Sequence, residues 1–305
     1  MNNIDAKPFL KWAGGKRQLI DQYNKLFPER LLVGQLTTYI EPFLGGGAVF
    51  FELIKRFDFK MIILNDINED LILTYRVIQQ NVNSVIKELS FLEDRYLSAN
   101  NNTRKKMYYE IRDLFNAEKE KVNHEIINDI AIRHAARLIF LNRTCFNGLY
   151  RLNNKGEFNV PQGNYKNPQI LDSENLYNVS NALKNVILLC GDFEQIYPYV
   201  DENTFVYMDP PYRPLPKTPS FTSYAKQDFN EDCQIRLSKF FRKLDEKNAS
   251  IMLSNSNPKN TDPYDNFFEI YYESYDIFEV SANRAINSDS SKRGAITELV
   301  IKNKR

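Results

Sequence analysis

The sequence predicts an α/β fold in which a parallel sheet is interrupted by a mostly helical insertion. Three observations carry that prediction. First, apolar runs rich in β-branched and aromatic residues fall in two groups: TTYIEPF and KMIILND ahead of Asn68, then NVILLCGDF, TFVYMDPP, ASIMLSNS and ITELVIKN from Asn185 onward. Second, between roughly Asp70 and Asn142 the apolar spacing changes to three and four residues, in DLILTYRVIQQ, SVIKELSFLEDRYL and INDIAIRHAARLIFLNR, which reads as helix. Third, TTYIEPFLGGGAVFFEL is a strand, a glycine turn and a helix start.

Taken in chain order, the first motif is Lys11-Trp12-Ala13-Gly14-Gly15-Lys16-Arg17 ahead of a predicted helix. It is not a phosphate-binding P-loop, because Arg17 follows Lys16 where Ser or Thr is needed. A capped helix start with a core tryptophan fits it equally well. Next, Gly45 to Gly47 allow a sharp turn and let a ligand come close to a helix N-terminus. The pattern departs from a dinucleotide fingerprint, since Phe50 stands where a third glycine belongs. The following strand ends at Asp66, about twenty residues on, where a Rossmann-like fold places a carboxylate for ribose hydroxyls. An adenosine-containing ligand at the carboxyl edge of the sheet is therefore expected.

The insertion is followed by a loop-rich stretch, NGLYRLNNKGEFNVPQGNYKNP, and the Asn-rich patch near Asn100 reads as a loop. The net charge of +1 says little, but Ala131 to Ile170 holds six basic residues against one acid, Glu157. A local excess of that kind suits one face that meets a polyanion, or a solvated surface with counter-charges supplied from elsewhere in the fold.

Composition excludes several classes. At 305 residues and 43% hydrophobic content the chain can bury one large core or two smaller ones. No run is long enough to cross a bilayer, and MNNIDAKPFL lacks the apolar core of a signal peptide. Cys145, Cys190 and Cys233 are odd in number and far apart, which points away from disulfides and towards a reducing, cytoplasmic setting. His124 and His134 fall in a stretch read as helix, with no nucleophile or Cys/Asp ligand set nearby. No metal is expected, and chemistry is expected to run on carboxylates and backbone groups.

FVYMDPPYRP, from Phe205 to Pro214, ends a predicted strand on a charge that is costly to desolvate. Chemistry on a nucleobase amine explains the pattern. An exocyclic amino nitrogen is a poor nucleophile because its lone pair is delocalised into the ring. Two pure acceptors, the Asp209 carboxylate and the Pro210 carbonyl, would take its two protons and favour a pyramidal nitrogen. The prolines fix φ and keep that carbonyl aimed, and Tyr212 offers a face for stacking, worth about 1–3 kcal/mol per base.

These motifs resemble the Dam-type (D12 class, alpha group) adenine-specific DNA methyltransferases, and among them members that recognise GATC. The resemblance rests on FLKWAGGK, YIEPFLGGGAVFF, Asn65-Asp66-Ile67-Asn68, Gly191-Asp192-Phe193 and Asp209-Pro210-Pro211-Tyr212, continuing into PLPKTPSFTSY and IMLSNS. It implies a Rossmann-like sheet that uses S-adenosylmethionine and leaves S-adenosylhomocysteine, with residues 1–68 plus 172–305 catalytic and 69–171 a target-recognition insertion. By resemblance, Trp12 and Lys16 would help hold the cofactor, and Phe43 with Gly45 to Gly47 would line its methionine end. Asp66 would bind its ribose, and Asp192 with Phe193 would flank its adenine. Asp209 to Tyr212 would grip the target adenine, flipped out of the duplex, with Asp209 also bordering the cofactor. In the reading hairpin Phe146 would wedge into the base stack, Asn147 would sit near the gap, Leu149 would touch a base, and Arg151 would reach a guanine edge. Pro161 and Tyr165 would contact the same region, and Lys11 would read the outer guanine. The family often has tyrosine where Phe146 stands, so only a wedge role carries over. From composition and loop character alone, and not from the resemblance, Arg284, Lys292 and Arg293-Gly294 would add backbone contacts.

The implied partner is double-stranded DNA, with no membrane, and the sequence leaves open whether a companion restriction nuclease accompanies the enzyme. The oligomeric state is left open, since a monomer acting twice can serve a short palindrome. An amino-methyltransferase acting on cytosine, RNA or a protein amide, and a DNA-binding relative without catalysis, are the alternatives. The acid at Asp209 and the basic, aromatic hairpin discriminate against them.

Overall fold

The computed structural model describes residues 5–12, 14, 16, 19–213, 229–283 and 295–305. PLPKTPSFTSY, Ala13, Gly15 and the basic residues proposed between 284 and 294 lie outside the described residues. Seven strands form one sheet: β1 (Thr38–Glu41), β2 (Met61–Asp66), β3 (Val186–Cys190), β4 (Thr204–Met208), β5 (Ser250–Ser256), β6 (Asp276–Asn283) and β7 (Ala295–Lys302). Their order is β3-β2-β1-β4-β5-β7-β6. The first five are parallel, and β7 is antiparallel to both β5 and β6. This is a Rossmann-like α/β sheet, as expected. The strand at Asp276–Asn283 was not among the runs read as strands. It pairs on one side only, and Asp276, Glu279 and Ser281 break up its apolar run.

Alternation along the parallel strands sends successive side chains to opposite faces. Tyr39, Leu64, Phe205, Tyr207 and Met252 join one buried cluster, and Ile40, Ile63, Val206, Met208, Ile251 and Leu253 join the other. With both faces covered, the strands read as nearly continuous apolar runs.

The helices are α1 (Ile20–Tyr23), α2 (Glu29–Leu32), α3 (Ala48–Arg56), α4 (Glu69–Ser98), α5 (Asn101–Glu118), α6 (Asp129–Thr144), α7 (Ser173–Leu183), α8 (Glu231–Glu246) and α9 (Phe267–Tyr271). Two of the three predicted helical runs are the halves of α4, which loses helical geometry at Asn81 between them. Asn68 starts α4 by accepting the Leu71 N–H at 3.0 Å. The Asn-rich patch is likewise a cap rather than a plain loop: Asn100 accepts the Thr103 N–H at 3.0 Å and starts α5. The first buried cluster is continuous from the sheet into α4, α5 and α6, through Leu71, Ile78, Phe115 and Phe140 among others.

The histidines depart from expectation. His124 lies in the turn between α5 and α6, and both histidines face an acid contributed from far along the chain. Asp70, fully buried in α4, meets His134 Nε2 at 2.9 Å, accepts the Tyr150 hydroxyl at 2.7 Å and pairs with Lys119 Nζ at 3.1 Å. His134 stacks on Phe115 with ring centroids 4.2 Å apart. Among the described residues no group of three or more His, Cys, Asp or Glu is arranged to hold a metal, and no helix is long and apolar enough to cross a membrane.

Candidate active site

The sheet order reverses at β1: β2 and β3 lie to one side of it and β4 to the other. Ligand crevices in open α/β sheets form at such a point, beyond the carboxyl ends of the strands. The glycine turn leaves β1 there, and Asp209 follows β4, with Ile40 paired to Val206 between them.

Asparagine and aspartate at the end of β2 hold three loops together. Asp66 accepts the N–H of Gly45 and of Asn68, each at 2.9 Å, and its backbone carbonyl accepts the Gly191 N–H at 3.0 Å. Buried Asn65 donates to the carbonyls of Pro42 at 2.9 Å and Gly191 at 3.1 Å. Burial holds the Asp66 carboxyl above its ordinary value, although the N–H groups of Gly45, Asn68 and Ile67 pull it down. Gly47 caps α3 with φ +68°, a left-handed conformation that favours glycine. The indole of Trp12 covers the turn so closely that a Cβ on Gly45 would stand 2.9 Å from it. Phe43 packs on buried Phe193 with centroids 5.4 Å apart. Asp192 is half-exposed, accepts the Glu194 N–H and pairs with Arg236, whose guanidinium lies 4.5 Å from the Phe193 ring centroid.

The second half of the site is a buried ion network. Lys16, only 3% exposed, lies 2.8 Å from Asp209 and 3.5 Å from Glu298 of β7, and it donates to the Tyr212 hydroxyl. Tyr212 in turn donates to Glu298 at 2.5 Å, and the Lys16 ammonium sits 4.5 Å from its ring centroid. Burial raises the Asp209 carboxyl to about 6; Lys16 draws it down and the charge on Glu298 adds to the rise. The same acids hold Lys16 well above its ordinary value against the opposing effect of its burial. Lys16, assigned to the cofactor by resemblance, thus lies on the acid-Pro-Pro-Tyr motif. Gln234 donates to the Pro211 carbonyl at 2.9 Å, one residue beyond the carbonyl expected to serve a base. Arg213 anchors the end of the motif to Glu231 at 2.7 Å and Asp265 at 2.5 Å. Glu298, Gln234 and Arg213 gave no sequence signal as site residues.

The hairpin expected to read the target opens from the last turn of α6. Phe146, about half exposed, and exposed Asn147 (φ +55°) stand at a short 3-10 turn, Phe146–Gly148. The Phe146 N–H donates to the Pro161 carbonyl at 2.8 Å, and Leu149 is half-buried against the core. Exposed Arg151 is held by Asn159 Oδ1 at 2.7 Å, and Lys11 Nζ lies 4.3 Å from the Tyr165 ring centroid. The basic count overstated the free charge: Arg137 pairs with Glu118, and Arg143 donates to the Phe9 carbonyl at 2.8 Å. Arg151, Lys155 and Lys166 remain exposed.

A Rossmann-like sheet with a glycine turn after β1 and an acid-Pro-Pro-Tyr motif after β4 defines a methyltransferase. The chain belongs to the D12 class N6 adenine-specific DNA methyltransferases, whose family model matches residues 12–286. It is 52% identical to the type II methyltransferase M.MjaIII of Methanocaldococcus jannaschii, over 98% of this chain and 100% of that protein. Identity to the type II methyltransferase M1.LlaDCHI of Lactococcus lactis is 37%, over 99% of this chain and 97% of the relative. The DNA adenine methylase of Haemophilus influenzae is 35% identical, over 97% of this chain and 93% of its own length.

Proposed function

We propose that this enzyme transfers a methyl group from S-adenosylmethionine to the exocyclic amino group of adenine in double-stranded DNA, within GATC. The observation that carries the reading is the Lys16–Asp209–Tyr212–Glu298 network standing at the switch point beside the Gly45–Gly47 turn. When bound, the cofactor supplies an electrophilic methyl group.

The residues present fit that cofactor. A carboxylate has about four acceptor positions, and three backbone N–H groups occupy Asp66, which leaves capacity for a ribose hydroxyl. Phe43 and Phe193 give an apolar wall, the glycines let a ligand approach closely, and Trp12 and Asp192 border the same edge. Asp209 and the Pro210 carbonyl accept from the two amino protons of a flipped adenine. Lys16 and Glu298 hold the Tyr212 hydroxyl and so fix the ring on which the base stacks. Positioning by these groups and exclusion of water supply much of the rate.

Phe146 as wedge, Asn147, Leu149, Arg151, Pro161 and Tyr165 as hairpin contacts, and Lys11 as reader of the outer guanine form the DNA face. The relatives named DNA adenine methylase support the substrate, and the resemblance of the hairpin to GATC readers supports the sequence. The cofactor and the target acid belong to 1–68 plus 172–305, and target reading belongs mainly to 69–171. Type II relatives support a companion restriction nuclease, and three free cysteines support a cytoplasmic setting.

The test is transfer of labelled methyl from S-adenosylmethionine to short duplexes, one with GATC and others with one altered base. Label on adenine in the GATC duplex alone is the expected result. Label on every adenine-containing duplex removes the assigned specificity, and label on RNA or protein instead removes the DNA substrate.

A further inference from the structure

The last turn of α6 gathers the elements assigned to target reading. Asn142, buried to 1% exposure, accepts the Lys11 N–H at 2.8 Å on Oδ1. Its Nδ2 donates to the Lys11 carbonyl at 2.8 Å and to the Gly148 carbonyl at 2.9 Å. An asparagine side chain has one carbonyl oxygen and two N–H donors, and here each has a backbone partner. The two carbonyls fix which end of the amide is nitrogen. The side chain thus pairs with the Lys11 backbone as a neighbouring strand would, and with its remaining proton ties that backbone to the Phe146–Gly148 turn.

Adjacent residues reinforce the arrangement. Arg143 donates to the Phe9 carbonyl at 2.8 Å, and the Thr144 carbonyl accepts the Gly163 N–H at 2.8 Å. A Cβ on Gly148 would stand 2.4 Å from Lys11 Cδ, and one on Gly163 would stand 2.4 Å from the Tyr165 ring. The Lys11 side chain therefore lies directly on the hairpin turn, with its ammonium over Tyr165.

We propose that Asn142 is a positioning residue for target specificity: it fixes the Lys11 backbone against the hairpin, so that the lysine and the hairpin residues read one duplex in one register. The inference rests on the reading of Lys11 as the contact to the outer guanine. Aspartate has no donors and would set a carboxylate against two carbonyls, glutamine is one methylene too long, and alanine would leave three buried backbone groups without this partner.

The experiment measures methyl transfer (kcat/KM) on a GATC duplex, on duplexes altered at the outer pair and on duplexes altered at an inner pair. The proteins are the native enzyme, Lys11→Ala, Asn142→Asp and the double variant. The expected result is that Asn142→Asp lowers discrimination at the outer pair by about tenfold, the size of one base contact, and keeps it at the inner pair. The double variant discriminates no worse than Lys11→Ala alone, because Asn142 acts through Lys11. Equal loss on all duplexes, or effects that multiply in the double variant, overturns the proposal. If Lys11→Ala itself keeps native discrimination while the native enzyme methylates GATC, the role of Lys11 fails and the inference fails with it, but the reaction stands. Should Asn142→Asp not fold, Gly148→Ala displaces Lys11 by setting a Cβ against its side chain, and the same loss at the outer pair is expected; unchanged discrimination there counts against the proposal.

Discussion

Two carboxylates in this molecule, Asp70 buried and Asp209 largely so, each have a lysine within about 3 Å, and their proton affinities move in opposite directions. Asp209 is raised to about 6, whereas Asp70 is held well below the ordinary carboxylate range. Burial raises both. The difference lies in what surrounds them. Lys16 is shared among Asp209, Tyr212 and Glu298, so Asp209 meets a second acid as well as a cation. Asp70 has Lys119, His124 and His134 facing it, with the Tyr150 hydroxyl as a further donor and no second acid among its partners. A carboxylate with a full set of donors is a structural anchor. One whose cation is shared keeps a proton affinity close to neutral and, on the proposed function, retains acceptor capacity for a substrate amine.

Asp70 also ties the hairpin after α6 to the Gly45–Gly47 turn. Tyr150, between Leu149 and Arg151, donates to it and stacks on Trp12, with centroids 5.5 Å apart. Trp12 in turn covers the glycine turn.

The largest expected effect separates the two acids by function. Asp209→Ala should lower turnover by about 10²–10³-fold or more, and DNA and cofactor binding should largely persist in titrations. Near-normal turnover would remove Asp209 from the chemistry. Asp70→Ala should act on stability, because it leaves Tyr150, His134 and Lys119 facing no acid. A loss of about 3–5 kcal/mol in denaturant unfolding is expected, and a loss within experimental error would reduce Asp70 to an ordinary polar residue. Its folded pKa is depressed, so its stabilisation is present above the ordinary value of 3.8 and is lost as pH falls through the lower folded value. The penalty of Asp70→Ala should therefore persist down to about pH 4.

The smallest effect has the opposite sign. The folded pKa of Asp209 is raised, so its contribution to stability is full below 3.8 and is lost as pH rises through about 6. Asp209→Asn should flatten the decline in Tm over that interval, and an unchanged slope would show that the carboxyl does not hold its proton more tightly in the folded chain.

The two networks also differ in how they read from sequence. Gly45 to Gly47, Asp66 and the Asp209–Tyr212 run are local signals, since backbone turns and an acid at a strand end show in a few consecutive residues. Glu298 lies 86 positions from Tyr212, and Asn142 lies 131 from Lys11. Each is a polar residue in an otherwise ordinary strand or helix, and only the fold brings it to its partner. His134 looked isolated for the same reason, with Asp70 sixty-four positions away. Parallel strands were legible because burial on both faces makes them apolar throughout, while edge strand β6 and charge-rich α5 were not. In α5, Met107, Tyr108, Ile111 and Phe115 form a helical face that three asparagines and several charges obscure.

The central claim is that ionised Asp209, tuned by Glu298, accepts from the target amine. It is tested most directly by the pH dependence of single-turnover methyl transfer to a GATC duplex, in the native enzyme and in Glu298→Gln. Glutamine keeps an acceptor for Tyr212 and removes the charge. The native rate should rise with pH through a midpoint of about 6, and the midpoint should move lower in Glu298→Gln. A rate independent of pH from about 5 to 8, the same in both proteins, would contradict the account.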